Sequence, residues 1–134
     1  MHWAGQYVGT PWVKGGQGPN GYDCWGFVRF VQQKHFDRAL SHIDADADSY
    51  REVITAIEQT EERHSWVQVQ KPAEGDCVLM AHAKYPSHVG VWLDVDGGGV
   101  LHCVRGEGVV FSSMSALKLA GWGKVEFYQY VGNT

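Results

Sequence analysis

The chain lacks any long hydrophobic run. Its 134 residues contain no stretch approaching the roughly 18 consecutive apolar residues that a membrane-spanning helix needs. The first residues, Met-His-Trp-Ala-Gly-Gln-Tyr, have neither the positive n-region nor the apolar h-region of a signal peptide. We therefore expect no membrane insertion, and we expect synthesis in the cytoplasm without a signal peptide.

Positive charge is also scarce. Eleven lysines and arginines compare with 15 acidic residues, which gives a net charge of −4, and no run of five or more basic residues occurs. A protein that binds nucleic acid usually carries a basic patch, so we expect no nucleic-acid partner.

Cysteines are few and odd in number: Cys24, Cys77 and Cys103. Three cysteines do not make a disulfide framework, and the absence of a C-x-x-C pair argues against a structural zinc site. A metal site built from Cys77 and Cys103 with His82 and His102 remains an alternative, but core packing is the simpler role for both cysteines. We expect no metal and no organic cofactor.

The chain does have the length and apolar content of one globular domain, which we assign to residues 1–134.

Residues 9–21 hold five glycines and two prolines and predict a loop. Apolar periodicity predicts a helix over 23–36, with Asp23 as its N-cap, and a second helix over 50–64. Alternating or apolar runs predict strands at 66–69, 77–80, 88–93, 100–104, 108–111 and 125–131. The predicted helices come first in the chain and the predicted strands, which we expect to pair antiparallel, come after them. This order predicts an α+β fold with about five or six strands.

Cys24 is the first candidate for chemistry. It stands at the first turn of the predicted helix, where unpaired N–H groups and the helix dipole favour an anion such as a thiolate. On this argument its pKa should fall and its reactivity should rise. The competing interpretation is a buried structural cysteine, and the local sequence alone does not choose between the two.

A thiol nucleophile needs a base, and His88 opens one of the predicted strands. A third group should orient its imidazole. A tight hairpin centred on Gly97 and Gly98 would place Leu93 opposite His102 and Glu107 opposite His88. Simple pairing therefore favours Glu107 as the orienting residue, whereas His102 requires a bulge or a bend in the strand.

Five short segments, taken in order, resemble the NlpC family of papain-like cell-wall cysteine peptidases. Each segment is unspecific alone, but together they span nearly the whole chain. They are Tyr7-Val8-Gly9-Thr10-Pro11-Trp12 with Gly15-Gly16, then Asp23-Cys24-x-Gly26, Gly75-Asp76, His88-Val89-Gly90-Val91, and Leu101-His102 followed by Gly106-x-Gly108-Val109.

The resemblance implies a papain-like fold and assigns roles to particular residues. Cys24 would be the nucleophile, His88 the general base and His102 the orienting residue, in place of Glu107. Tyr7 and Asp23 would line the substrate end of the cleft. The implied reaction cuts an amide bond in the peptidoglycan stem peptide, often between D-glutamate and a diamino acid, through a thioester.

Trp25 departs from the family pattern, in which a serine that helps to recognise the peptide usually follows the nucleophile. The resulting Asp-Cys-Trp-Gly sequence resembles the phage-tail branch, so a phage or prophage origin, phage tail proteins as partners and action at the bacterial cell wall are implied. Trp25 is then a candidate substrate contact. Two alternatives on the same fold are a tail-tip or assembly protein with little activity and an amidase or acyltransferase.

Overall fold

The computed structural model describes residues 2–40, 65–82 and 88–132. A short 3-10 helix at Trp3–Gln6 precedes the first α-helix. The elements that follow, in chain order, are α1 (Cys24–Phe36), β1 (Trp66–Val69), β2 (Cys77–Ala81), β3 (His88–Leu93), a 3-10 turn at Val95–Gly97, β4 (Gly99–Val104), β5 (Gly108–Ser112), α2 (Met114–Leu119) and β6 (Lys124–Tyr130). Within these residues, no helix is long and apolar enough to cross a membrane.

Helix α1 begins where the sequence predicts. The Asp23 carboxylate accepts a hydrogen bond from the Gly26 backbone N–H at 2.6 Å, which satisfies one of the unpaired donors of the first turn. The helix ends at Asp37, whose φ of 55° is left-handed. The helix over 23–36 and its N-cap are thus confirmed. The second expected helix, over 50–64, lies outside the described residues.

The six strands form one antiparallel sheet in the order β1-β6-β2-β3-β4-β5. This confirms the α+β class and the expected number of strands. Helix α2 was not expected from the sequence, because its six residues are too few to show a clear helical period.

Side chains pack on both faces of this sheet. Helix α1 covers one face, and we call the apolar cluster there the helix-side core; it contains Cys24, Phe27, Val28, Val31, Val89, Val91, Leu101 and Cys103 among others. The opposite face carries what we call the far-side core: Val78, Met80, Trp92, Val100 and Leu117, with Trp122, Val125 and Phe127 packed against them. Alternation along each strand sends successive side chains to these two cores.

A polar connection holds the end of α1 against the sheet. The buried Gln32 side chain donates to the Gly75 carbonyl at 2.8 Å, and Arg38 donates to the same carbonyl at 2.9 Å. Gly75 and Asp76 form the turn that enters β2, where Asp76 accepts from the Ala73 N–H at 2.8 Å. These bonds fix the end of the helix relative to this turn, whose Gly75 N–H in turn donates to the Trp92 carbonyl of β3 at 2.8 Å.

The β3–β4 hairpin has a different register from the one expected. Leu93 pairs with Gly99 and Val91 with Leu101, so His102 faces Gly90 rather than Leu93. The loop holds five residues, including the 3-10 turn, whereas the expected turn was a tight one on Gly97 and Gly98. The expected pairing of Glu107 with His88 is therefore wrong.

Candidate active site

Cys24 is the first residue of α1 and is only 1% exposed. Its side chain belongs to the helix-side core, together with Cys103 of β4. The Cys103 thiol donates to the Tyr22 carbonyl at 3.2 Å, two residues before Cys24. The helix start thus places the thiol at the end of the glycine-rich loop, as the sequence predicts.

The environment of Cys24 does not activate it at rest. Burial raises the pKa of the Cys24 thiol far above its ordinary value, and the negative charge of Asp23 raises it further. The backbone N–H groups of Trp25 and Cys24 lower the pKa, but by less. The expectation that the helix start lowers the pKa is wrong for this structure, because desolvation outweighs the dipole. The thiol is therefore neutral at rest, and a base must take its proton.

His88 and His102 are in direct contact. The Nε2 atom of His88 and the Nδ1 atom of His102 are 2.8 Å apart in a hydrogen bond between two buried rings. The observed register explains this contact: His102 faces Gly90, so it lies diagonally across from His88 on the same face of the sheet. A Cβ atom on Gly90 would stand 3.0 Å from the His102 Cβ atom, so the glycine makes room for the second imidazole. Glu107, in contrast, is exposed in the turn between β4 and β5.

Two further side chains hold the histidine pair, and sequence reasoning did not select either for the site. Ser112 Oγ is 2.9 Å from His102 Nε2. The Trp122 indole stacks on His88 with ring centroids 5.2 Å apart, and His82 stacks on Trp122 at 3.6 Å. The β4–β5 register pairs His102 with Val110, which puts Ser112 two residues further along the same face. Only that register could have identified Ser112.

The three expected substrate contacts lie in different surroundings. The Tyr7 hydroxyl hydrogen-bonds His35 at 2.8 Å, which lies eleven residues after Cys24, or about 16 Å along α1. Trp25 is only 3% exposed and packs in the helix-side core, so it does not reach a substrate in this structure. Asp23 is half-buried and caps α1. Asp23 and Trp25 both adjoin Cys24 in the chain, and of these two Trp25 is buried whereas Asp23 is only half-buried.

The two histidines form a hydrogen bond with each other, and they lie on the other side of the sheet from the Cys24 thiol. Cys24 lies in the helix-side core, whereas His88 and His102 point to the opposite face, where Trp122 lies. The described contacts of the two imidazoles are with each other, with Ser112 and with Trp122. Catalytic hydrogen bonds are often long or poorly aligned in unliganded enzymes and tighten only when substrate binds.

Comparison with known proteins gives the family. The model of the NlpC/P60 family matches residues 9–125, which is most of the chain. The chain belongs to the NlpC/P60 family. This confirms the resemblance that the five sequence segments indicated, at the level of the family.

Similar proteins support the assignment. Protein P54 of Enterococcus faecium is 30% identical over 110 residues, which cover 81% of this chain but 18% of that protein. The NlpC/P60 domain described here thus spans about a fifth of the length of that relative. The solved NlpC/p60 domain of the peptidoglycan hydrolase SagA is 25% identical, with a TM-score of 0.60, and the match covers 93% of this chain and 90% of that one. An NLP/P60 protein similar to lipoprotein from Staphylococcus aureus is 19% identical, with a TM-score of 0.57, and covers 97% of this chain and 39% of that one, so it supports the fold alone.

The residues of the alternative metal site do not converge in this NlpC/P60 domain. Cys77 and Cys103 belong to the helix-side core, while His102 points to the far side and His82 is exposed. Among residues 2–40, 65–82 and 88–132, no three His, Cys, Asp or Glu side chains come together as metal ligands would.

Burial keeps both imidazoles of the pair neutral near pH 7. Desolvation lowers the pKa of His102 to about 4. Desolvation also lowers the pKa of His88, and the neighbouring His102 and His82 lower it further. A neutral imidazole can accept a proton, which is the state that a general base requires.

The same burial predicts how stability depends on pH. The pKa of His102 is about 4 when folded and about 6.5 when unfolded, so between these values only the unfolded chain takes up the proton. This contribution to stability is complete above about pH 6.5 and falls by about 3 kcal/mol on going down to pH 4. Urea unfolding at pH 7 and pH 4 measures the loss, which should be clearly smaller in His102→Asn. Equal losses in both proteins would contradict the prediction.

Proposed function

We propose that this chain hydrolyses an amide bond in the peptidoglycan stem peptide, with Cys24 as nucleophile, His88 as general base and His102 as the residue that orients His88. The observation that carries the proposal is the buried hydrogen bond of 2.8 Å between His88 and His102, in a chain whose helix α1 begins with a cysteine. Membership of the NlpC/P60 family and the likeness to the peptidoglycan hydrolase SagA support the choice of substrate.

The ring nitrogens of His88 have different tasks in this mechanism. Because Nε2 is engaged with His102, Nδ1 is the atom that takes the proton from the thiol. The mechanism requires the Cys24 sulfur and this nitrogen to come together when substrate binds, which means a rearrangement from the resting positions on different faces of the sheet. Excluding water there strengthens the attraction between the thiolate and the imidazolium that form.

The reaction then runs in two steps. The Cys24 thiolate attacks the carbonyl carbon of the amide, and we propose that backbone N–H groups at the start of α1 stabilise the oxyanion. The C–N bond breaks as His88 gives its proton to the leaving amine, which leaves a thioester on Cys24. His88 next takes a proton from water, which attacks the thioester and releases the carboxylate and the free thiol. No metal or organic cofactor takes part in this sequence.

The bond that we propose joins D-glutamate to the diamino acid of the stem peptide. We further propose that the chain acts at the bacterial cell wall. Both statements rest on the family resemblance of the five segments rather than on any contact described above.

Digestion of purified peptidoglycan tests this function. We expect the protein to release soluble fragments whose masses show a cut within the stem peptide and whose new ends are an amine and a carboxylate. New reducing sugar ends would contradict the proposal, and so would equal release by Cys24→Ala prepared in the same way. A contaminating hydrolase would appear in both preparations and is thereby recognised.

A phage-tail association is the finer part of the proposal. It rests only on the sequence Asp23-Cys24-Trp25-Gly26. Trp25 is buried in the helix-side core, so its role here is packing, and any recognition of tail proteins would use other residues. Mass spectrometry of phage particles induced from the source strain tests the association: the chain should be present in purified particles, and its absence from every particle would contradict the association.

A further inference from the structure

We propose that Trp122 is a positioning residue that covers the ring of His88 and keeps water away from it. The indole of Trp122 lies nearly parallel to the His88 imidazole, at an interplanar angle of 16° and with ring centroids 5.2 Å apart. This is offset stacking, in which two flat rings cover part of each other's faces. The inference rests on the proposed function, because the shield matters for catalysis only if His88 is the base.

Trp122 is itself held in place by His82. The two rings stack with their centroids 3.6 Å apart. The His82 ring also donates a hydrogen bond from Nδ1 to the carbonyl of Gly121, the residue just before Trp122, at 2.9 Å. Since a carbonyl oxygen can only accept, the ring nitrogen must be the donor. The segment that carries Trp122 is thus fastened to the residue that follows β2.

The position of Trp122 separates His88 from open space. A cavity of about 360 Å³ lies on this face of the sheet, and Trp122 and His102 form part of its wall. Trp122 is half-buried, so it meets both the cavity and the interior. His88, which the indole covers, is only 1% exposed. Removing the indole would therefore open a path for water from the cavity to one face of the His88 ring.

Water beside His88 would change the balance between its neutral and protonated forms. Burial lowers the pKa of His88, because a dry site disfavours the charged imidazolium. With water in reach, this pKa should rise toward the ordinary histidine value of about 6.5. A base must be neutral to take a proton, so the shield keeps His88 active in mildly acidic medium, where an exposed histidine would be protonated.

Neighbouring charges also act on His88, and they are the same with or without the indole. His102 and His82 lower the pKa of His88 further. Within the described residues, the titratable and charged side chains that line this cavity and a second one bordered by Trp122 are His102 of β4, His82 after β2, Arg105 and Glu107 of the turn between β4 and β5, and Lys118 of α2. Replacing Trp122 alone removes none of these groups, so a changed pKa of His88 reports the entry of water.

Trp122→Leu is the main test, because leucine keeps an apolar side chain beside the far-side core but has no flat ring to cover His88. NMR titration of the unliganded protein should show a higher pKa of His88 in this variant. Trp122→Phe restores a flat ring and should bring the pKa most of the way back. The ratio of the rates of fragment release at pH 7.5 and pH 5.5 should be at least about threefold larger in Trp122→Leu than in the wild type. Titration of the substrate is common to all the proteins and cancels in this comparison.

Trp92→Leu is the matched control. Trp92 is another tryptophan of the far-side core, on the same strand as His88, but its ring packs on Phe127 with centroids 5.5 Å apart. This variant should lose stability, because a buried side chain becomes smaller, while the pKa of His88 and the pH profile stay as in the wild type. An equal pKa shift in Trp92→Leu and Trp122→Leu would indicate a general loosening of the sheet and would overturn the inference. An unchanged pKa of His88 in Trp122→Leu would overturn it as well.

The two measurements separate this inference from the proposed function. The NMR titration needs no substrate, so it decides whether Trp122 shields His88 even if the wild type does not cut peptidoglycan. A raised pKa of His88 in Trp122→Leu, together with an unchanged pH profile of the rate, would support the shield and contradict the role of His88 as the base.

Discussion

Cys24→Ala should release stem-peptide fragments from peptidoglycan at least about 10⁴-fold more slowly than the wild type. The variant has no atom that can form the thioester, so water would have to attack the amide directly. The remaining groups can still bind the substrate and polarise its carbonyl, which sets a floor above the uncatalysed rate. The measurement is the initial rate of fragment release, with the masses of the products recorded for each protein.

A matched control is available in β2. Cys77 is also a buried cysteine of the helix-side core, so Cys77→Ala removes the same sulfur atom from a similar environment. It should lower stability by creating a cavity, but the activity of the folded fraction should stay within a few-fold of the wild type. Equal losses of activity from Cys77→Ala and Cys24→Ala would mean that the effect comes from packing, and the nucleophile would have to be sought elsewhere.

Combining variants tests whether the thiol and the imidazole act as one unit. His88→Ala should lose about as much activity as Cys24→Ala, and the double variant should lose no more than either one. This result is informative because the structure at rest places the two side chains on different faces of the sheet. Additive losses would show that Cys24 and His88 act independently.

The strands were predictable to within one residue at every end, and the physical reason is local. Each strand is an apolar or alternating run bounded by glycine or by polar turn residues, so the residues at its own ends are enough to predict where it begins and ends. The start of α1 was predictable for a similar reason, because Asp23 precedes the first apolar periodic positions and caps the helix.

The pairing register of neighbouring strands was not predictable from local sequence. The expected hairpin and the observed one differ by three residues in register, because the loop contains a 3-10 turn at Val95–Gly97. An odd shift moves a residue to the opposite face of a sheet. In the expected register His102 would share a face with Leu93; in the observed one it shares a face with His88. The contact between the imidazoles therefore depends on a loop conformation that short-range patterns do not specify.

Burial was the second property that the sequence could not supply. The helix-start argument for Cys24 counted the N–H groups and the dipole but not the desolvation of the thiol, which is the larger effect. Trp25 was a candidate substrate contact because of its place after Cys24, and in the structure its side chain packs in the helix-side core. Position along the chain does not give burial in the packed structure, which is why the direction of the Cys24 pKa shift was predicted wrongly.

Gly26→Ala should damage both stability and activity, although alanine is the better residue inside a helix by about 0.8–1 kcal/mol. A Cβ atom on Gly26 would overlap the Gly16 carbonyl oxygen and stand 2.8 Å from the Asp23 carboxylate. The Gly16 carbonyl accepts a hydrogen bond from the Asp23 N–H at 3.1 Å. Relieving the overlap requires the glycine-rich loop to move away from the start of α1, which breaks this bond and shifts Cys24.

The expected cost follows from these contacts. Overfilling a packed site typically costs 1–3 kcal/mol, and the helix preference for alanine offsets part of it, so we expect a net loss of about 1–2 kcal/mol in the free energy of unfolding. A displacement of about 1 Å at the nucleophile can lower a rate about 10²-fold, so the activity should fall more than the stability suggests.

Gly5→Ala is the matched control, because a Cβ atom on Gly5 meets nothing within 4 Å. Urea unfolding and the rate of fragment release should change in Gly26→Ala and not in Gly5→Ala. If Gly26→Ala proved as stable as the wild type, helix preference alone would govern the site, and the close approach of the loop to α1 could not be what positions Cys24.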